Sequence, residues 1–525
     1  MGVWEHAVMG IEAVFAGPEL LSILGLGIST TLVMILLGFL MGITVGATPG
    51  LAGPMVMAIA LPILISIFGF SQDAFLPVMG FLIGIMKGAT VGGAVPAILF
   101  NTPGTPDAYM TTLDGHPMAR RGQAREALRV AHFSSASGDT FSDVVLVLCA
   151  PFLAVLVERY LDLPEKTGLF ILSLAFIAAV IGNSVGKGLI SMGLGLLAAM
   201  VATGEDFYPR LTLGVQELSG GFPIAAAILG VLILGEVFKA LEDLRHEKRD
   251  GAKPQRAPAT VEAQRPIGLT RLFPYILRSS VIGTAIGALP GIGSTLAATL
   301  GYTSAKARHT RTKAPTDPDF GEGAPEGVAA TEAANSSVSG ANLIPVLSLG
   351  IPGNTAAVFL ILGMESIGGF NPGPGVFRVP GDGINPELVL AFGLFTAMFV
   401  TNGLNWTIGG LFMRAVGIMS RVPKDVLLPV VLLLTLTAIY VQETSMAAMW
   451  VAVAFGVLGY LMRRVDMSPL PFVIAFILGG KLEETARQAF SATGGDPLFL
   501  FTNPLAAVFV ALSAIVILLN LRRRG

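Results

Sequence analysis

The chain has few of the residues on which soluble enzymes, metalloproteins and disulfide-bonded proteins depend. Only 13% of its 525 residues are charged, and the single cysteine, Cys149, excludes an internal disulfide and any multi-cysteine metal site. The five histidines include His116 and His132, which stand apart from other metal-ligand types at useful spacing. A net charge of −2 gives no signal for nucleic-acid binding, so no nucleic-acid partner is expected. Residues 182–188, GNSVGKG, lack the spacing of a phosphate loop, and nucleotide-driven activity is unsupported.

Apolar residues are abundant instead. Hydrophobic types make up 53% of the chain and the mean hydropathy is +0.73, which leaves too little polar surface to cover a soluble globule of this length. Apolar runs at 21–43, 144–157, 169–181 and 505–519 predict helices that cross a hydrocarbon core of about 30 Å. We therefore expect an all-α polytopic membrane protein with about 12–15 membrane segments, in contact with a lipid bilayer.

Two Pro-Gly motifs each occur twice. GATPGLAG at 46–53 is paired with GALPGIGS at 287–294, and NTPGTP, starting at Asn101, is paired with GIPGNT, starting at Gly350. Pro103 and Pro352 are 249 positions apart (352 − 103). A duplicated membrane fold with a helix-breaking polar site in each copy is typical of secondary transporters.

The basic loops alternate differently in the two halves, which indicates that the copies are inverted. In the first half lysine and arginine cluster at 120–129, at Lys187 and at 239–265, and in the second half at 306–313, 414–424 and 463–464. If every basic loop is cytoplasmic, each half crosses the membrane about seven times, an odd number. The predicted organisation is a first repeat at 1–241, a cytoplasmic linker at 242–266, a second, inverted repeat at 267–502, and an additional transmembrane helix with a basic tail at 503–525. The N-terminus is then periplasmic and the C-terminus cytoplasmic.

The two breaks with asparagine and threonine are the candidate substrate site. Two prolines and a glycine within 101–106 cannot continue a helix, and in lipid such broken or re-entrant helices must face protein or a watery cavity. Half-helix amides suit a carboxylate and half-helix carbonyls suit a cation. Asn101, Thr102 and Thr105 add neutral donors and acceptors, as do Asn354 and Thr355. An ordinary capped loop at the membrane surface is the alternative for either motif taken alone.

Coupling-ion candidates lie at the other pair of breaks and in a polar segment. At the GATPG and GALPG motifs, carbonyls beside hydroxyls could hold Na⁺, although a tight connection between packed helices explains these motifs equally well. Carboxylates at bilayer depth are usually functional, which makes Glu332 with Asn335 a second candidate. The proposed coupling-ion residues are Thr48, Gly50, Gly291, Ser294, Glu332 and Asn335.

Lys87 follows an uncharged apolar stretch at 78–86 and has two interpretations. It pairs with a carboxylate of the substrate, or it is a packing lysine paired with a fixed acid such as Glu332.

The long motifs together resemble the large membrane subunit of the tripartite tricarboxylate transporters, the TctA-type permeases. The resemblance rests on GATPGLAG, AILFNTPGTPDA, TTLDGHPMARRG, GALPGIGS, APEGVAATEAANSS and LIPVLSLGIPGNTAA and covers nearly the whole chain. It implies a bacterial inner-membrane carrier that works with a small four-helix membrane subunit and a periplasmic solute-binding protein, coupled to Na⁺ or H⁺ without ATP or another cofactor.

The resemblance also implies kinship with elevator-type members of the ion transporter superfamily. In that superfamily, hairpin tips with Asn-Thr motifs hold the substrate and Na⁺. Transferred to this chain, the tips are Asn101, Thr102, Pro103 and Gly104 in one half and Pro352, Gly353, Asn354 and Thr355 in the other.

A carboxylate-importing permease subunit is the favoured function. A passive channel or a stand-alone carrier for small anions is the alternative, because duplication alone would serve either. An intramembrane enzyme would need a catalytic pair such as Ser/His or two aspartates on facing helices, and the sequence offers none at convincing spacing.

Overall fold

The structure, a computed structural model, describes residues 2–23, 26–48, 51–181, 184–201, 211, 219–250, 267–290, 293–313, 317–381, 383–416 and 424–524. Gly50 and Gly291, two of the predicted coupling-ion residues, lie outside the described residues, as do residues 251–266 of the predicted linker.

The chain divides into two compact units. One comprises Met1–Ala154, Gly251–Leu289 and Gly293–Lys424, and the other comprises Val155–Asp250, Pro290–Ile292 and Asp425–Gly525. Each unit takes residues from both sequence halves, so the units are not the predicted repeats. The repeat boundaries stay a prediction.

The first unit contains a small hairpin and most of the long buried helices. Its elements, in chain order, are α1 (Val3–Phe15), β1 (Glu19–Ile23), β2 (Leu26–Ser29), α2 (Thr30–Gly46), α3 (Gly53–Phe68), α4 (Gln72–Phe100), a 3-10 turn (Pro106–Ala108), α5 (Tyr109–Met118), a π-helical turn (Ala119–Gln123), and α6 (Ala124–Tyr160), whose last residues belong to the second unit.

After the elements of the second unit that precede it in the chain, the first unit continues with α11 (Leu269–Gly287), α12 (Gly293–Thr312), α13 (Pro325–Ala341), α14 (Leu343–Leu349), α15 (Thr355–Ser366), a 3-10 turn (Pro374–Phe377), α16 (Pro386–Leu404), a π-helical turn (Asn405–Gly409) and α17 (Gly410–Val416).

In the described part of the second unit, the regular elements are all helical. Its elements are α7 (Leu163–Val180), α8 (Val185–Ala199), α9 (Ile224–Leu229), a π-helical turn (Gly230–Leu234), α10 (Gly235–Asp250), α18 (Lys424–Glu443), α19 (Met446–Arg464), α20 (Leu470–Ala492), α21 (Phe499–Thr502) and α22 (Pro504–Arg524). Arg463 donates to the carbonyls of Val231 and Leu232, both at 2.8 Å, so it satisfies backbone oxygens of the π-helical turn. Residues 242–250 of the predicted linker continue α10.

The membrane class is confirmed. In the described part, seven helical segments are long and apolar enough to cross a bilayer, and shorter apolar helices include α2, α3 and α15. The runs at 144–157 and 169–181 lie almost entirely within α6 and α7, and the run at 505–519 lies within α22. The number of membrane segments stays a prediction.

The expectation of one helix over 21–43 was wrong at its start. Residues 19–23 and 26–29 form the antiparallel pair β1 and β2, and α2 begins only at Thr30. The Ser29 side chain fixes this boundary because its oxygen accepts the Leu32 backbone amide at 3.2 Å, as an N-cap does.

Helices α2 and α4 pack backbone against backbone. A methyl group on Gly42 would lie 2.6 Å from the carbonyl oxygen of Ile85, and one on Gly88 would lie 2.3 Å from that of Phe39. Only glycine permits such a close approach of the two backbones. Small residues spaced four apart allow this kind of packing between membrane helices. The other glycines in the same contact are Gly38, Gly46, Gly84 and Gly92.

A similar contact joins α11 and α13. A methyl group on Gly283 would lie 2.2 Å from the carbonyl oxygen of Ala334. Gly283 follows Gly42 by 241 positions (283 − 42), which is the separation of the GATPG and GALPG motifs. The close packing therefore recurs at corresponding positions in the two halves.

Candidate functional site

The first break ends α4 where the sequence predicts. Asn101 is in the left-handed conformation (φ 54°, ψ 28°), and the amides of Asn101 and Thr102 both reach the carbonyl of Pro96, the latter at 3.3 Å. In this arrangement, backbone amides that follow the helix donate hydrogen bonds to its last carbonyls and so end the helix. Asn101 is exposed, and the helix end is held by backbone hydrogen bonds.

The second break repeats this geometry. Gly350 is left-handed (φ 69°, ψ 24°), and the amide of Ile351 reaches the carbonyl of Pro345 at 3.2 Å. The left-handed residues are 249 positions apart (350 − 101), and so are the accepting prolines (345 − 96). Helix α15 then starts at Thr355, with Asn354 as its N-cap: the Asn354 Oδ1 accepts the amide of Ala357 at 2.9 Å.

Each break lies against the carboxyl end of an earlier helix. A methyl group on Gly104 would lie 2.1 Å from the carbonyl oxygen of Gly46, the last residue of α2. A methyl group on Gly353 would lie 3.8 Å from the carbonyl oxygen of Gly287, the last residue of α11, and 2.8 Å from Asn342 Oδ1. The structure thus joins the two Pro-Gly motifs within each half. The approach of NTPGTP to GIPGNT stays a prediction.

The other predicted residues of the breaks differ in exposure. Thr102 is exposed and its hydroxyl donates to the Phe100 carbonyl, whereas Thr105 is buried and its hydroxyl has no hydrogen-bond partner in the described part of the chain. Thr48 is buried and its hydroxyl donates to the Thr44 carbonyl. Gly104, Pro352 and Gly353 are buried, and Pro103, Ser294 and Thr355 are half-buried.

Lys87 is held in a buried ionic cluster. Its Nζ lies 2.8 Å from Asp143 Oδ2, 3.5 Å from Asp139 Oδ1 and 3.0 Å from Asn402 Oδ1. The Asn402 amide also donates to Asp143 at 2.7 Å, and Ser339 donates to Asp139. The three side chains of the ion pairs are 1% exposed or less. The fixed acids beside Lys87 are therefore Asp139 and Asp143 rather than Glu332, and its three donors are all engaged.

This cluster places two acidic side chains beside one lysine. Asp139 Oδ2 and Asp143 Oδ1 are buried without a hydrogen-bond partner among the described residues. Desolvated charges are stable only when they are paired and hydrogen-bonded. Lys87 therefore stabilises the two buried aspartates.

Glu332 lies in a second buried polar group, on α13. Thr111 donates to one of its carboxylate oxygens, and Ser135 donates to the other at 2.9 Å. One turn further on, Asn335 is 1% exposed, and neither its amide oxygen nor its amide nitrogen has a partner in the described structure. Buried polar atoms normally are paired, so the Asn335 amide is available to a ligand or water.

These elements offer both kinds of ligand that an ion-coupled carrier needs. Helix-end carbonyls, the Asn335 amide oxygen and the Glu332 carboxylate suit a small cation, while the exposed Asn101 side-chain amide suits a carboxylate. Among the described residues, no group of three or more histidine, cysteine, aspartate and glutamate side chains is placed to hold a metal ion.

Comparison with known proteins decides the family. Residues 32–474 match the family described as the tripartite tricarboxylate transporter TctA family. The chain belongs to the TctA family.

Two relatives from Agrobacterium vitis agree with this assignment. One, an uncharacterized 52.8 kDa protein in the TAR-I ttuC' 3' region, is 31% identical over 96% of this chain and 96% of its own. The other, an uncharacterized protein in the TAR-II ttuC' 3' region, is 32% identical over 46% of this chain and 93% of its own. No solved structure matches the chain. The resemblance to TctA-type permeases seen in the motifs is confirmed, and the family is one of transporters rather than enzymes.

Asp139 and Asp143 are functional candidates that the sequence motifs do not predict. They are four residues apart, hence on one face of α6, and they directly precede the apolar run at 144–157. Ser135, the partner of Glu332, is four residues earlier on the same face. Two acids at helical spacing beside a membrane segment were the available signal.

Proposed function

We propose that this TctA-family protein is the large permease subunit of a binding-protein-dependent tripartite secondary transporter. In this proposal it imports a di- or tricarboxylate, driven by a Na⁺ or H⁺ gradient. Its partners are a small four-helix membrane subunit and a periplasmic solute-binding protein. The match to the TctA family over residues 32–474 carries the proposal. The family resemblance implies the bacterial inner membrane, and the basic loops favour a periplasmic N-terminus and a cytoplasmic C-terminus.

The two breaks are the proposed substrate pocket. Their left-handed residues, their accepting prolines and their contacts with α2 and α11 correspond across the halves, which supports a structural repeat. We propose that the repeat is inverted and of the elevator type, as the basic loops and the family resemblance indicate. The pocket residues are Asn101, Thr102, Pro103, Gly104, Thr105, Pro352, Gly353, Asn354 and Thr355. Lys87 joins them only in a state in which it leaves Asp139 and Asp143.

For the coupling ion we propose two places. One is at the sequence-predicted breaks of Thr48, Gly50, Gly291 and Ser294, where we expect carbonyls and hydroxyls to bind Na⁺. Glu332 and Asn335 offer a carboxylate and an unpartnered amide, which suit either Na⁺ or a proton.

Uptake by the assembled system in proteoliposomes tests the function. We expect di- or tricarboxylate accumulation against its concentration gradient when a Na⁺ or H⁺ gradient is imposed. Uptake that only equilibrates the anion would favour the alternative of a passive channel. If no di- or tricarboxylate enters under either ion gradient, the proposal is wrong.

Replacing Asn101 tests the pocket with little disturbance of the fold. Glycine adopts the left-handed conformation that Asn101 needs, so Asn101→Gly removes the amide while retaining the helix end. We expect uptake to fall about tenfold or more at unchanged expression, because a hydrogen bond to a charged ligand contributes about 1.5–3 kcal/mol.

Asn354 needs a different substitution because it caps α15. Asn354→Ser retains an N-cap oxygen, whereas Asn354→Ala also removes the cap and costs about 1 kcal/mol of stability. If the side chain binds substrate, both variants lose uptake. If it only caps the helix, the serine variant transports normally. Full activity of Asn101→Gly and Asn354→Ser would remove both side chains from the pocket.

Glu332→Gln tests the coupling role. Glutamine keeps the size of the side chain and can accept one of the two hydroxyl donors, but it carries no charge and takes up no proton. We expect a changed dependence of initial uptake rate on Na⁺ concentration or pH. Ser135→Ala, which removes one hydrogen bond and leaves the carboxylate, is the control. An unchanged ion dependence of Glu332→Gln would exclude Glu332 as an ion ligand.

A further inference from the structure

A cavity of about 640 Å³ opens beside the first break. Its lining includes Asn101 from the break itself, Thr112, His116, Arg120, Arg121 and Glu322. The volume lies within the range that small-molecule sites occupy, about 300–1,000 Å³. We call this space the arginine cavity.

A local distortion of the helix brings the two arginines to this cavity. They lie in the π-helical turn between α5 and α6, where Gly122 has φ +81°, a conformation that a residue with a side chain rarely adopts. The His116 Nδ1 lies 3.1 Å from the carbonyl oxygen of Ile98, in the last turn of α4, and so ties α5 to the helix that ends at Asn101. π-helical turns inside α-helices are frequent at functional sites.

The lining of the arginine cavity has more basic than acidic side chains. Arg120 and Arg121 are exposed and make no ion pair within the described part of the chain, and the one carboxylate in the lining is that of Glu322. By contrast Arg129, on the following helix α6, pairs with Glu126 at 3.3 Å. Two unpaired guanidinium groups that share a cavity with an exposed amide are suited to an anion with more than one carboxylate.

We propose that the arginine cavity binds the transported di- or tricarboxylate on the side of the basic loops, with Arg120 and Arg121 each taking one carboxylate group. This inference rests on the proposed function, which it deepens: the anion passes between Asn101 and the arginine pair at the mouth of the first break. A monocarboxylate engages only one arginine, so the pair also selects for anions with several carboxylates.

The test uses the assembled transporter, oriented in phosphatidylcholine vesicles, with citrate, tartrate and succinate as probes. The concentration of each anion on the face of the basic loops is varied, and exchange with labelled anion on the opposite face is measured. For Arg120→Gln and Arg121→Gln we expect the half-saturating concentration on the basic-loop face to rise about tenfold each, and more for the double variant, while that on the opposite face is unchanged. Arg120→Lys should give a smaller rise, because lysine keeps the charge without the bidentate geometry.

Arg125→Gln is the matched control, since Arg125 is exposed on the next helix and does not line the arginine cavity. If wild type transports a probe and the double variant keeps its half-saturating concentrations on both faces, the inference is overturned while the proposed function stands. A defect that appears only after phosphatidylglycerol is added would assign the arginines to lipid phosphate and overturn it too. If wild type transports none of the probes, the proposed function itself fails, and the inference with it.

Discussion

Lys87→Met should destabilise the protein by about 3–5 kcal/mol, because removing one partner of a buried ion pair leaves uncompensated charge in a low-dielectric interior. Here the loss leaves Asp139 and Asp143 without the ammonium group that pairs with both of them. Methionine has nearly the same length as lysine, so little volume is lost. The denaturant midpoint of the purified protein in detergent measures the effect.

Rescue separates this charge effect from other consequences of the substitution. The triple variant Lys87→Met, Asp139→Asn, Asp143→Asn carries no charge in the cluster and should regain most of the lost stability. Asp139→Asn alone leaves one carboxylate and one ammonium and should be close to wild type. A Lys87→Met variant as stable as wild type would contradict the assignment. A rescued triple variant that folds but does not transport would show that the cluster of Lys87, Asp139 and Asp143 serves transport as well as folding.

Gly88→Ala should disrupt the contact of α2 with α4. The new methyl group would lie 2.3 Å from the carbonyl oxygen of Phe39 and 2.9 Å from the amide nitrogen of Ile43, and both are backbone atoms that cannot rotate away. Alanine normally stabilises a helix relative to glycine by about 1 kcal/mol, so a loss of stability must come from the steric contact. We expect a loss of about 1–3 kcal/mol, read from the same unfolding midpoint.

Gly193→Ala is the control for this substitution. Gly193 also lies within a helix, α8, but a methyl group there would meet nothing within 4 Å. The control should be neutral or slightly more stable than wild type. Equal midpoints for the two alanine variants would show that the contact at Gly88 relaxes without loss of stability.

The sequence predicts the breaks well because their cause is local. The clustered proline and glycine residues that follow α4 and α14 end these helices at the predicted positions. It predicts membrane helices for the same reason, because a sufficiently long apolar run indicates a helix in the hydrocarbon core of a membrane. It does not predict the strand pair at 19–23 and 26–29, because these residues are mostly apolar and carry no periodicity that separates strands from a membrane helix.

Tertiary pairing is where sequence reasoning fails. Lys87 and Asn402 are 315 positions apart, and both lie in helices with no single polar face to show which neighbour each side chain meets. Helix α13 is buried at every residue from Glu326 to Ala341, so its polar side chains give no amphipathic stripe either. The association of Lys87 with Asp143, and of Glu332 with Thr111, depends on packing that only the structure provides.

The glycine contact between α2 and α4 has a mechanical consequence. With no side chains between them over several turns, the two helices cannot slide past one another without backbone collisions. One of these helices ends at Gly46 and the other runs directly into Asn101. Any displacement of the Asn101 tip must therefore also move the Gly46 carbonyl. A cation bound at Gly46 and a carboxylate bound at Asn101 would then move together as parts of one rigid body.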